Sequence, residues 1–245
     1  MTNPDHSENI IEIRDLSYSY GETRVLRDIQ LSIHRGDYLA IVGGNGAGKS
    51  TLLKIILGLL PIQDGSVRLF GQDIRSFRDW PKIAYVPQKA TNFDTNFPAT
   101  VREVVLMGRF GRRGILRRVI QEDHDAVQES LEQVGMWEYR DRQIGDLSGG
   151  QQQRIFIARA LAGKPEIVFL DEPTVGVETH VRDEFYALLR KMNERMGLTV
   201  VLITHDIEKV GHEAMHVACI DRTLFYHASV DDYFKHTHII PHPHT

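Results

Sequence analysis

Tyr38-Leu39-Ala40-Ile41-Val42-Gly43-Gly44-Asn45-Gly46-Ala47-Gly48-Lys49-Ser50-Thr51 is the stretch on which the fold turns. Tyr38–Val42 is a short apolar run, which predicts a strand buried on both faces. Gly43 to Ser50 fit the pattern Gly-x4-Gly-Lys-Ser, and Thr51–Leu60 predicts a helix closed by Pro61. A strand, a glycine turn and a helix in that order are the context this phosphate-binding motif requires. Glycines let backbone N–H groups turn toward phosphates, and the helix N-terminus adds positive dipole. Lys49 is then placed to reach β- and γ-phosphates, and the Ser50 hydroxyl to ligate Mg²⁺. A plain glycine-rich turn capping a helix would leave the lysine and serine unexplained.

The chain repeats the strand–helix theme on either side. Upstream, Ile11 and Ile13, then Leu16, Tyr18 and Tyr20, alternate in two short stretches. They predict an exposed-edge strand with a turn at Gly21. Val67–Phe70 and Ile83–Val86 read as further short strands. Strand signals return at Glu166–Asp171 and Leu198–Thr204, with a helix between them at about Thr179–Met196. That alternation predicts a parallel sheet covered by helices. Ala218–Ile220 and Leu224–His227, separated by Asp221-Arg222-Thr223, predict a final hairpin.

From about Thr91 to Ile144 strands vanish. Thr100–Gly108, with Thr100 as cap and Glu103 three residues on, and Gln121–Val134 predict helices. A basic, glycine-containing stretch, Arg109 to Arg118, lies between them. The segment reads as a helical insertion.

Composition narrows the classes. The 245 residues are long for one compact domain and short for two, which favours one core with an insertion. With 42% hydrophobic and 25% charged residues the chain reads as an ordinary soluble globular protein. A net charge of −4 argues against nucleic acid as a partner. Cys219 is the single cysteine, so no intramolecular disulfide can form, which fits a reducing compartment. Residues 1–9 are polar and include Asp5 and Glu8, unlike a secretory signal. No apolar run approaches the ~20 residues needed to cross a bilayer. Work at a membrane would therefore need a partner that spans it.

Two further motifs complete the set. Ile167-Val168-Phe169-Leu170-Asp171-Glu172 is an apolar strand ending in paired acids, which are costly there unless used. Leu147-Ser148-Gly149-Gly150-Gln151 precedes it and opens a helix running to about Gly163. By itself Ser148 is a good N-cap with a glycine-rich lead-in. In the order loop, Leu-Ser-Gly-Gly-Gln, apolar strand with Asp-Glu, these motifs resemble the ATP-binding subunit of ABC transporters, from about residue 10 to about 225.

The resemblance implies a P-loop NTPase (RecA-like) α/β core with an N-terminal antiparallel β subdomain and an inserted α-helical subdomain. It places a single ABC ATPase domain over residues 1–245, with the insertion at about 91–160 and a histidine-containing tail at about 228–245. ATP and Mg²⁺ are the implied cofactors. Gly43, Gly44, Asn45, Gly46, Ala47, Gly48, Lys49, Ser50 and Thr51 bind nucleotide. Asp171 holds Mg²⁺ through water, and Glu172 polarises the attacking water as general base. Ser148, Gly149, Gly150 and Gln151 match the family signature, which binds the γ-phosphate of ATP held by a second copy. Gln88, in Tyr85-Val86-Pro87-Gln88, matches the glutamine that contacts Mg²⁺ and reports nucleotide state to the insertion. His205 matches the histidine that contacts the γ-phosphate, and Tyr20 the aromatic that stacks on adenine, with Tyr18 a close competitor. One departure stands out: Val175-Gly176-Val177-Glu178 carries glutamate where the family usually carries aspartate in the loop facing the opposite subunit.

Phrases around these motifs resemble the branch serving zinc, manganese or iron import. They are Phe97–Arg109, Asp141–Ser148 and Glu172–Val177. The implied partners are a second copy of the chain, an integral membrane permease and an extracytoplasmic metal-binding protein, with the subunit peripheral on the cytoplasmic face of the membrane. Import of a chelate such as a siderophore or cobalamin is the alternative cargo, and a soluble ABC ATPase the alternative class. DNA-repair members carry a long heptad-patterned insertion that is missing here. Ribosome-acting members typically carry two cassettes in one chain. A kinase or GTPase sharing only the phosphate loop would leave residues 147–154 unexplained. Of the 12 histidines, His236, His238, His242 and His244 fall at the C-terminus. Imidazole suits transition metals, but a proline-interrupted tail more often reads as a solvated end.

Overall fold

The computed structural model describes residues 8–88, 98–114, 117–174, 179–205 and 214–237. In chain order the strands are β1 (Asn9–Tyr20), β2 (Thr23–His34), β3 (Tyr38–Val42), β4 (Asp64–Leu69), β5 (Gln72–Asp73), β6 (Ile83–Val86), β7 (Ile167–Asp171), β8 (Thr199–Thr204), β9 (His216–Asp221) and β10 (Thr223–His227). The α-helices are α1 (Lys49–Ile56), α2 (Val101–Leu106), α3 (Phe110–Arg113), α4 (Gln121–Gln133), α5 (Gly149–Ala162), α6 (Thr179–Met196) and α7 (Val230–Thr237). They fall into two compact units, residues 1–78 with 193–245, and residues 79–192.

In the first unit β1 and β2 form an antiparallel hairpin closed at Gly21, with Tyr20 opposite Thr23. β1 also pairs with β4 on its other side, Ile11 opposite Leu69 and Ile13 opposite Val67. The sheet order is β2-β1-β4-β5. The expected edge strand is therefore an interior one, because both of its backbone edges are hydrogen-bonded. β3 lies between β8 and β9, parallel to both, and β10 folds back antiparallel on β9. Every residue of β3 and β8 is buried, which is why both read as continuous apolar runs rather than alternations.

Two helices of this unit depart from expectation. α1 starts at Lys49 and ends at Ile56 rather than running to Leu60. Gly58 takes φ +69° just past the Leu57 cap, so the helix stops at a left-handed glycine before Pro61 is reached. α7 occupies part of what sequence alone reads as a solvated tail, with Val230 buried and Asp231 and Asp232 in its first turn. His238, His242 and His244 lie outside the described residues.

In the second unit β6 and β7 pair in parallel, Tyr85 opposite Phe169 and Val86 opposite Leu170. α2 carries the expected capping box: Thr100 Oγ1 accepts from Glu103 N at 3.3 Å, and Glu103 Oε2 accepts from Thr100 N at 2.8 Å. That return bond holds the Glu103 carboxyl below the usual range. α2, α4 and α5 pack on one another through buried faces that include Val101, Val105, Val127, Leu131 and Ile155. Gly108 lets the end of α2 meet α5, since a Cβ there would lie 1.9 Å from the Arg159 carbonyl oxygen.

A buried ion cluster ties this helical region together. Asp123, fully buried, accepts from Arg109 Nε at 2.9 Å and from Ile120 N at 2.9 Å, and pairs with Arg113 at 2.6 Å. Arg109 also donates to the Ala162 carbonyl at the end of α5. Burial alone would raise the Asp123 carboxyl. The Ile120 N–H and the two guanidinium groups outweigh it and hold the group below the ordinary aspartate range. Among the described residues, no helix is long and apolar enough to cross a membrane.

Candidate active site

The loop Gly43–Gly48 leaves the end of β3 and runs straight into α1. Gly48 at the helix cap has φ +102°, and a Cβ there would sit 2.6 Å from the Leu26 side chain, so a glycine is required twice over. Gly44, Asn45 and Gly46 face solvent, whereas Ala47, Gly48 and Lys49 are buried. Lys49 Nζ folds back across the loop, donating to the carbonyls of Gly43 at 2.7 Å and Gly44 at 2.9 Å. Ser50, exposed, and Thr51, buried, stand on the first turn.

The β3–β8 register brings a second group to the same place. Val42 is paired with Thr204, so Gly43 and His205 leave adjacent strands side by side at one end of the sheet. His205 is exposed there. Tyr18 and Tyr20 meet edge to face at 5.1 Å, but Tyr18 is 6% and Tyr20 48% exposed. Of the two rings, that of Tyr20 is the one open to solvent.

In the second unit Asp171 ends β7 and Glu172 follows it with φ +44°. A side-chain-bearing residue in that left-handed region is strained by on the order of 1–2 kcal/mol, a feature that clusters at working sites. Glu172 Oε2 accepts from Gln88 Nε2 at 3.0 Å. Asp171 Oδ2 accepts from the Tyr85 hydroxyl at 3.4 Å. Burial, then the neighbouring Asp171 charge, push the Tyr85 phenol up to about 12. The turn after the acids is pinned by Gln153, which donates to the Pro173 carbonyl, and by a Thr174–Tyr186 hydroxyl pair at 2.9 Å.

Ser148 is the N-cap of α5. Its hydroxyl accepts from Gln151 N at 3.4 Å, and Gln151 Oε1 accepts from Ser148 N at 3.0 Å. Ser148 and Gly149 are exposed. The described geometry is thus a reciprocal capping box, with an N-terminus that can meet an anion from outside.

Beside Gln88 a groove of about 460 Å³ runs between β6 and the helices, lined by Trp80, Tyr85, Met107, Arg112, Phe156 and Arg159 among others. Its lining combines apolar side chains with two arginines, Arg112 and Arg159. Burial depresses the Arg159 guanidinium below the usual arginine value.

The sequence profile of the ABC transporter family matches residues 26–175, more than half of the chain. The chain belongs to this family. Among curated relatives, this ABC protein is 43% identical to the zinc uptake system ATP-binding protein ZurA of Listeria innocua over 224 residues, covering 91% of this chain and 87% of the relative. It is 42% identical to the manganese transport system ATP-binding protein MntB of Bacillus subtilis, covering 81% of this chain and 78% of the relative. Among solved structures, CbiO1 of Clostridium perfringens, part of the ABC transporter complex CbiONQ, superposes with a TM-score of 0.82 at 28% identity over 95% of this chain and 93% of that one. A dimeric ATP-binding cassette bound to ADP and phosphate superposes with a TM-score of 0.70 at 30% identity, covering 86% and 94%. The fold is that of the ABC ATPase cassette.

Sequence reasoning passed over some residues that shape this ABC protein's site. Tyr85 was visible only as part of the phrase leading to Gln88, yet its hydroxyl touches the first strand-end acid. The Arg109–Asp123 pair had no signal beyond a basic stretch and an acid fourteen residues on. Glu178 and Phe97 lie outside the described residues.

Proposed function

We propose that this chain is the ATP-hydrolysing subunit that energises import of a transition metal ion, zinc, manganese or iron, through a membrane permease. The observation that carries the chemistry is the end of β7, where the carboxylates of Asp171 and Glu172 are each held by a residue of β6 or the segment after it. The similarity to zinc and manganese uptake subunits supports the cargo class.

In this reading the N–H groups of Gly44–Ser50 and the Lys49 ammonium take the phosphates, Lys49 exchanging its two carbonyl partners for phosphate oxygens. Among the described residues, no cluster of three or more His, Cys, Asp or Glu side chains could hold a metal ion. The Ser50 hydroxyl and the Asp171 carboxylate are hard oxygen donors of the kind Mg²⁺ takes, with water and substrate phosphate completing its shell. Ser50 and Asp171 would hold it, with Gln88 nearby, and it would neutralise charge on the phosphoryl oxygens. Glu172 accepts the proton of the attacking water, and Gln88 orients the Glu172 carboxylate meanwhile. His205 stands where the γ-phosphate develops charge, and Tyr20 stacks on adenine. Ser148 and the N-terminus of α5 serve the nucleotide of a second copy. The permease seats in the groove beside Gln88, and an extracytoplasmic metal-binding protein delivers the cargo. The subunit sits peripherally on the cytoplasmic face of the membrane.

The test is uptake of labelled zinc, manganese and iron by cells lacking this gene, with the gene restored as control. Loss of uptake of one or more is expected. Unchanged uptake of all three overturns the cargo assignment.

A further inference from the structure

Tyr85 has two surroundings at once. It lines the groove, together with Trp80, Met107 and Phe156, and its hydroxyl lies 3.4 Å from Asp171 Oδ2. The strand register explains how. Tyr85 is paired with Phe169 across parallel strands, and Asp171 is two residues further along β7 on the same face. That offset is a diagonal neighbour on the sheet, within reach of a long aromatic side chain leaning along its strand. An ionised carboxylate only accepts, so the phenol donates. Three residues later Gln88 donates to Glu172. One short run of chain therefore addresses the two strand-end acids in order.

We propose that Tyr85, a residue of the groove wall, is a positioning residue for Asp171 that fixes its carboxylate for Mg²⁺, so that an occupant of the groove bears on the carboxylate through Tyr85. The proposal rests on the reading of Asp171 as a Mg²⁺ ligand. It adds to the Gln88 route a second connection, ending on a different acid. Partners that orient a ligating carboxylate are a large part of a metal site's affinity, commonly tenfold or more. At 3.4 Å the contact is a long one, so an effect of about three- to tenfold is the expectation.

The experiment is a titration of the purified protein with a fluorescent ATP analogue, in EDTA and across a range of Mg²⁺ concentrations. The proteins compared are the wild type, Tyr85→Phe, Asp171→Ala and the double variant. Phenylalanine removes only the hydroxyl, and alanine removes every side-chain acceptor at 171. Tyr85→Phe is expected to bind nucleotide in EDTA as the wild type does, while the Mg²⁺ concentration giving half of the added affinity rises about three- to tenfold. In the Asp171→Ala background the tyrosine substitution should change nothing further, since the two act as one unit. An unshifted Mg²⁺ midpoint in Tyr85→Phe, beside a shifted one in Asp171→Ala, overturns the proposal and leaves the site assignment standing. The same holds for a shift of equal size in both backgrounds, which would place the effect outside the Tyr85–Asp171 pair. If Asp171→Ala leaves the midpoint at its wild-type value, the Asp171 assignment and the Tyr85 proposal fall together.

Discussion

Tyr18 and Tyr20 point to the same face of one strand, and a period-2 pattern treats them alike. Burial separates them: Tyr18 is packed in, and nearly half of Tyr20 is open to solvent. Tyr20→Ala is therefore expected to weaken ATP binding by roughly tenfold, the scale of one base–aromatic stack, with little change in melting temperature. Tyr18→Ala should do the reverse, lowering the melting temperature and leaving the nucleotide affinity of the folded protein nearly intact. Nucleotide titration and thermal melting of both variants check this; a Tyr18→Ala protein that folds normally but loses ATP affinity would exchange the two roles. The strand, glycine turn and helix around Gly43–Ser50 were readable, because the turn needs a glycine where the backbone is left-handed and crowded, as at Gly48. The left-handed backbone at Glu172 was not readable. Nothing in Leu-Asp-Glu-Pro distinguishes a strained glutamate from a relaxed one, since the surrounding packing imposes the angle.

At the scale of elements, local chemistry was legible and neighbour relations were not. The Thr100–Glu103 capping box and the Ser148 N-cap could be seen in sequence, because their partners lie within one helical turn; the return bond from Gln151 came only with the structure. That β1 is an interior strand could not, since alternation reports which face is buried and says nothing about which backbone edges are paired. Asp123 is the clearest case of a long-range dependence. It is buried among Arg109, Arg113 and the Ile120 N–H, and removing one partner of such a cluster typically costs about 3–5 kcal/mol. Asp123→Ala should lower stability by that amount and loosen α4. The sign of the pH effect follows from the depressed carboxyl. Its stabilisation is complete above the ordinary aspartate value of about 4 and is lost as pH falls through the lower folded value. Urea denaturation of the wild type should therefore show stability falling with acidification below about pH 4. The Asp123→Ala protein should be weaker throughout and less steep in that window; identical slopes would mean that Asp123 is not the group responsible.

For the molecule as a whole, the decisive question is whether two copies close on ATP. Glu172→Gln addresses it through one carboxylate. Glutamine keeps the size of the side chain and can still pair with Gln88, but it cannot take a proton from water. The substitution also removes a negative charge near the triphosphate, which favours the bound nucleotide, and it leaves Asp171 and Ser50 as oxygen donors. Loss of a general base typically slows a reaction by about 10²–10⁴. The variant should thus bind ATP, hydrolyse it slower by that factor, and accumulate as a closed dimer that elutes earlier on size exclusion with ATP than without. The α5 N-terminus gives this closure its physical logic. Ser148 and Gly149 are exposed at that N-terminus, where in the proposed reading the nucleotide of the second copy docks. Turnover at the wild-type rate would place the base elsewhere. Hydrolysis that stops while the protein stays monomeric with ATP would keep Glu172 as the base and assign the bringing together of two subunits to the permease.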